Sequence, residues 1–175
     1  WQNAPVATDF VENFPDFGKA SPQRTEVRLV YTDDAVYIGA YLYDTPALIK
    51  KQLTQRDKEQ FKDVDNFGVS FDTYKDQQNA FQFMVTSVNV QSDIRISAAT
   101  GDDNDGPDGF DYNWDAVWDS RTSFVDNGWI AEIKIPFSAI RFSKKNIQDW
   151  GINFSRFVRR DNATYYWNPV NPKTD

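Results

Sequence analysis

The stretch Asp126-Asn127-Gly128-Trp129-Ile130-Ala131-Glu132-Ile133-Lys134-Ile135-Pro136 decides the fold class. Asn-Gly is the strongest short hairpin signal, because both residues tolerate the positive φ of a tight turn. Behind it Trp129, Ala131, Ile133 and Ile135 recur with the period of two that marks a half-buried strand. Pro136 has no N–H for a ladder and closes the run.

The same period repeats on both sides. Val27, Leu29 and Tyr31 alternate with Glu26 and Arg28, and Val36 to Tyr43 is apolar enough for a central strand. Phe67, Val69 and Phe71 point one way; Asn66, Gly68 and Ser70 point the other. Phe81-Phe83-Val85, Ile94-Ile96, and the runs 116–124, 150–158 and 164–167 continue the series. A turn at Ser87-Val88-Asn89 uses the tolerance of Asn for a left-handed conformation. About nine short strands separated by turn residues predict an all-β, antiparallel β-sandwich of one domain over 1–175. Residues 1–24 read as an irregular lead-in, and helix is expected only as a turn or two within 46–62. The chain starts at Trp1 without a methionine and is read as a piece of a longer protein.

Composition removes several functions. The 175 residues contain no Cys and no His, so Ser-His-Asp and Cys-His catalysis and thiolate metal sites are excluded. With 26 Asp plus Glu against 19 Lys plus Arg and no basic run, nucleic acid is not an expected partner. No apolar stretch reaches the ~20 residues of a membrane helix, so this chain carries no such transmembrane segment. Fourteen Phe, eight Tyr and six Trp are enough to fill a core and leave a tryptophan for a surface, where its face can stack on a sugar ring.

Four groups of residues carry possible chemistry. The acidic loop Gly101-Asp102-Asp103-Asn104-Asp105-Gly106 suits Ca2+ through Asp102, Asp103 and Asp105, but it lacks the twelfth-position acid of an EF-hand and reads equally as a solvated loop. Asp57, Asp65, Asp93 and Asp115 flank strands; two carboxylates brought together would permit glycoside hydrolysis, and surface charge is the simpler account. Arg156 shares the pleat face of Ile152, Phe154 and Val158, so it needs an ion-pair partner, a ligand or an edge position. Trp114, Trp118 and Trp167 are core or platform. A sugar site assembled from these parts takes Trp118 or Trp167 for stacking and Arg56, Asp57, Gln91, Asp93, Asp115 and Arg156 for hydroxyl contacts. The same polar groups would equally serve as a buried network that fixes the sandwich.

Arg24-Thr25-Glu26-Val27-Arg28, Tyr37-Ile38-Gly39, Gln55-Arg56-Asp57, Asp65-Asn66-Phe67, Val90-Gln91-Ser92-Asp93, Asn113-Trp114-Asp115-Ala116-Val117-Trp118, Gly128 to Phe137 and Trp150 to Arg156 together carry a family likeness. The chain resembles the carbohydrate-binding module family 9-like domain, in the version found at the N-terminal end of Bacteroidetes DUF5916 proteins. The resemblance implies a jelly-roll-like sandwich, a glycan or polysaccharide partner, structural Ca2+ and no catalysis of its own. It also implies an exported protein on the periplasmic or cell-surface side of the bacterial outer membrane, whose own C-terminal β-barrel follows the domain. The rival expectation is a docking domain of such a barrel protein that binds no sugar. Departures are evident: Phe61-Lys62 stands where sugar-binding members place a stacking tryptophan, and Gly68, Met84 and Ser155 stand at polar contact positions. Only Trp167 falls near the second tryptophan region.

Overall fold

The computed structural model describes residues 1–58, 62–97 and 109–171. In chain order its strands are β1 (Val6–Ala7), β2 (Val11–Phe14), β3 (Thr25–Tyr31), β4 (Ala35–Tyr43), β5 (Asn66–Asp72) and β6 (Ala80–Thr86). They continue with β7 (Gln91–Ile96), β8 (Phe110–Asp111), β9 (Asp119–Val125), β10 (Gly128–Pro136), β11 (Gly151–Val158) and β12 (Ala163–Tyr166). Five form a smaller sheet in the order β1-β3-β4-β10-β9, and seven a larger one in the order β2-β12-β11-β5-β6-β7-β8. The strand pairings are antiparallel, so the expected all-β sandwich is the observed architecture.

Alternation places the core. From the smaller sheet Val27, Ile38, Leu42, Trp129, Ile133 and Ile135 turn inward; from the larger, Phe67, Val69, Phe71, Phe83, Val85 and Phe154 meet them. Each such side chain taken fully out of water stabilises the fold by ~1.5–3 kcal/mol before entropy is counted. The β9–β10 hairpin turns where Asn127-Gly128 placed it, pairing Gly128 with Val125. Gly128 has φ +153°, and a Cβ there would lie 2.2 Å from the Leu42 carbonyl oxygen of the neighbouring strand. No other residue type fits that approach. Asn89 takes the left-handed conformation expected of its turn, at φ +62°.

Three expectations need correction. The described part of 46–62 is not helical: Leu48 N–H bonds the Thr45 carbonyl in a turn, and Lys51 bridges Val64 in extended geometry. Buried Ile49 draws this segment onto the core, and tertiary anchoring overrides its local propensity. Helix among the described residues is confined to 3-10 turns at Phe137–Ala139 and Arg159–Asp161. The lead-in is not irregular throughout, because β1 and β2 lie within it, one on each sheet.

Candidate functional site

Register divides the eight predicted contact residues among three places. On β7, Gln91 and Asp93 pair with Val85 and Phe83, so both side chains point to the inner face of the larger sheet. Segment 55–58 runs along the first part of that strand, which β8 leaves unpaired: Asp57 N–H bonds the Gln91 carbonyl, and Asp93 N–H bonds Asp57 Oδ1 at 3.1 Å. Asp57 adopts φ +57° to make this approach, a conformation that Asp tolerates better than most residues.

The edge segment drops Arg56 into the gap beside β7. Its guanidinium donates to Gln91 Oε1 at 2.6 Å, to Asp115 Oδ1 at 2.9 Å, to the Ala116 carbonyl at 3.0 Å, and to Asp93 Oδ1. Asp93 also accepts from Ala116 N–H at 2.6 Å and from the Trp118 indole N–H at 3.3 Å. Burial pushes the Asp93 carboxyl above its ordinary pKa, and the bonds from Ala116, Trp118 and Arg56 oppose that. Gln91 Nε2 donates to the Trp118 carbonyl and Ser120 Oγ, closing the network. Trp118 is 5% exposed and meets Phe83 edge-on at 5.4 Å, so it offers no platform to solvent. Thus Arg56, Asp57, Gln91, Asp93, Asp115 and Trp118 do converge, with their polar atoms largely occupied by one another.

Arg156 lies elsewhere, at the end of the sandwich where β4 ends and β3 begins. It is 1% exposed and donates to the carbonyls of Arg24 and Tyr43, to Thr25 Oγ1 and to Asp44 Oδ2 at 3.2 Å. Arg160 shares the same Asp44 oxygen at 2.9 Å. Burial pulls the Arg156 pKa down to about 10, against the attraction of Asp44 and Asp65. The predicted need for a partner at this apolar position is therefore met by Asp44.

Asp65 completes this buried group. One of its carboxylate oxygens accepts Arg159 N–H at 2.8 Å, while Oδ2 has no hydrogen-bond partner. Burial raises its pKa from 3.8 to about 6, outweighing the bonds from Arg159 and Lys50 and the attraction of Arg156. A folded-state pKa above the unfolded one means that the native state holds the proton more tightly. The contribution of Asp65 to stability is then full below pH 3.8 and is lost as pH rises through about 6. Asp65→Asn keeps the acceptor for Arg159 and removes the buried charge. It is expected to raise stability at pH 7 by about 2 kcal/mol and to flatten the stability profile between these two pKa values. Urea midpoints measured at pH 4 and pH 7 check this; a variant as pH-sensitive as the parent would refute it.

Trp167 stands apart again. It is 39% exposed and rests on Phe154 at the rim of the core, with ring centroids 5.6 Å apart. β12 and β7 are four strand spacings apart in the larger sheet, roughly 19 Å. The structure therefore does not bring Trp167 to the Arg56 cluster.

The outer face of the larger sheet holds the named departures together with two aromatics, Phe110 and Tyr112, that sequence reasoning passed over. Gly68, Met84 and Ser155 lie side by side on β5, β6 and β11. Beyond β7, Phe110 pairs with Ile96 on this face, and Tyr112 stacks on Phe110 at 6.0 Å. Tyr112 is 48% exposed and forms one side of an open groove of about 840 Å3. Leu53, Thr54, Gln55, Asp57, Lys58 and Lys62 also line it. Its residues come from separate segments, and Tyr112 directly follows a strand of two residues, which left no alternation to read. Asp102, Asp103 and Asp105 lie outside the described residues; among the described residues no group of three or more acidic side chains is positioned for a metal.

With this geometry in view, comparison with known proteins is informative. Residues 1–166 match the family described as carbohydrate family 9 binding domain-like. A carbohydrate-binding module of family 9 from Caldicellulosiruptor kristjanssonii, solved with cellotriose, superposes with a TM-score of 0.62 at 16% identity, over 95% of this chain and 74% of that one. The same module solved with glucose gives 0.61 at 16% identity, over 95% and 75%. A Bacteroides uniformis protein, described as a candidate carbohydrate binder, gives 0.72 at 10% identity, over 99% and 81%. None of the curated proteins compared matches the chain. At these identities the likeness speaks for the fold.

Proposed function

The chain belongs to the carbohydrate family 9 binding domain-like family, and from that premise we propose that it is a non-catalytic glycan-recognition domain that binds through the groove beside Tyr112. The observation that carries this reading is the groove itself, which an exposed aromatic and Lys62 both line. The resemblance puts a stacking aromatic of sugar-binding members at Phe61-Lys62. Tyr112 here presents an aromatic ring to the groove that Lys62 lines. An aromatic face takes the C–H side of a sugar ring, while Gln55, Lys58 and Lys62 can pair with hydroxyls at its rim. The neighbouring module solved with cellotriose supports a glucan as first probe.

Tyr112→Ala is expected to weaken glycan binding at least tenfold, about 1.4 kcal/mol, with an unchanged melting temperature. The measurement is a glycan array followed by calorimetric titration of the best ligand. Trp167→Ala serves as the control, since β12 and β8 are five strand positions apart in the larger sheet. If Trp167→Ala abolishes binding and Tyr112→Ala does not, the groove is the wrong place.

A second reading has its own support. The mutual pairing of Arg56, Gln91 and Asp93 is what a docking domain without a sugar ligand would also show. An intact chain that binds no glycan on the array decides for it. We extend the first reading to an exported protein on the outer-membrane side of a bacterial cell, supported by the family resemblance; fractionation of the full-length product tests that.

A further inference from the structure

A second cavity lies at the end of the sandwich away from Arg156. It opens between the sheets, where the β3–β4 turn faces residues 146–152, with a volume of about 630 Å3. That size falls within the ~300–1,000 Å3 of small-molecule sites. Its floor is apolar: Leu29, Val36, Phe71, Phe137 and Ile152. Trp150 forms one wall and is held in place from several sides. It meets Phe71 and Phe137 edge-on at 6.0 and 5.9 Å, and its indole N–H donates to Gln148 Oε1.

The polar groups at the mouth divide into spent and unspent. Gln148 donates to the carbonyls of Ser143 and Lys145, folding its loop into a wall. Thr32 Oγ1 accepts from Asp34 and Ala35 N–H in the hairpin turn. The Asp33 carboxylate and the Asn146 amide make no side-chain hydrogen bond to a described residue, and Asp33 is the one charged group in the lining. Tyr31 and Ile147 stand at the rim, 75% and 84% exposed.

This chemistry discriminates between ligand classes. A sugar ring on that floor would bury hydroxyls where no donor or acceptor can meet them, and unpaired buried hydroxyls cost more than the contact returns. An aromatic or aliphatic body loses nothing there and gains by leaving water. A single free carboxylate at the mouth favours a positive head over a negative one. We propose that this cavity is a binding site for a small cationic amphiphile: an apolar, ring-bearing body seated on Phe71 and Trp150, with an ammonium group at Asp33. The site is separate from the Tyr112 groove and does not rest on the glycan reading.

The test uses 3-phenylpropylammonium, with 3-phenylpropionate and glucose as comparison probes. Binding is followed by tryptophan fluorescence and by backbone amide shifts. The ammonium probe is expected to shift residues 29–36 and 146–152, and the propionate to bind at least tenfold more weakly. Asp33→Asn should erase that difference. Ile147→Lys, which sets a like charge at an exposed rim position, should weaken the ammonium probe tenfold while leaving the melting temperature and the glycan affinity of the groove unchanged. The inference is overturned if neither phenylpropyl probe shifts those segments, if glucose shifts them as strongly, or if Asp33→Asn leaves the preference for the ammonium intact.

Discussion

Arg156→Ala is expected to lower the free energy of unfolding by about 4 kcal/mol, the larger of the two strongest effects anticipated here. The guanidinium is 1% exposed and donates to Arg24, Thr25, Tyr43 and Asp44. Those acceptors come from both ends of the β3–β4 hairpin, while Arg156 belongs to the opposite sheet. One side chain thus ties the two layers together where strand pairing cannot. Its removal takes a donor from the Arg24 and Tyr43 carbonyls and leaves Asp44, whose side chain is 2% exposed, with Arg160 as its remaining cationic partner. Arg156→Lys should recover little, because an ammonium cannot span the fork of acceptors that a planar guanidinium reaches. Urea unfolding with an unchanged m-value measures the loss. A cost under about 1 kcal/mol would show that water or local repacking replaces these bonds, and would return Arg156 to the list of ligand candidates.

Asp93→Ala should cost about 3 kcal/mol. Its carboxylate is buried and receives Arg56, Ala116 N–H and the Trp118 indole N–H, so truncation orphans two buried donors and takes one acceptor from Arg56. Arg56 then loses its most buried partner, and segment 113–118 keeps only the Gln91 bond to the Trp118 carbonyl as a direct side-chain tether to β7. Asp115→Ala is the control within the same network. The Asp115 side chain is 79% exposed and accepts one bond from Arg56, which predicts a change within about 1 kcal/mol. The near-ultraviolet signal of Trp118 should weaken in Asp93→Ala and persist in Asp115→Ala. Equal costs for the two substitutions would mean that the network acts through charge alone, without burial.

Much of the scaffold was legible locally. Asn127-Gly128 located a hairpin because a tight turn needs positive φ and close backbone approach, and both are properties of those residue types alone. Alternation assigned Phe67, Val69 and Phe71 to the core, since successive residues of a strand face opposite ways regardless of what lies beyond. β1, β2 and β8 were too short to show a period. The 46–62 segment misled because Ile49 and Val64 anchor it to the core in an extended form, a distant contact that outweighs helix propensity.

The site was harder, and the reason is sequence distance. Residue types named Arg56, Gln91, Asp93, Asp115 and Trp118 as candidates, and 35 positions separate Arg56 from Gln91 in the chain. Whether such groups face a ligand or one another depends on how the edge segment lies along β7, a matter of packing between elements. Burial closed Trp118 against Phe83, and strand order set β12, just before Trp167, four strands from β7. Local chemistry determined which residues form strands and which side chains need partners; only the tertiary structure decided who those partners are, because burial and strand order depend on the whole chain at once.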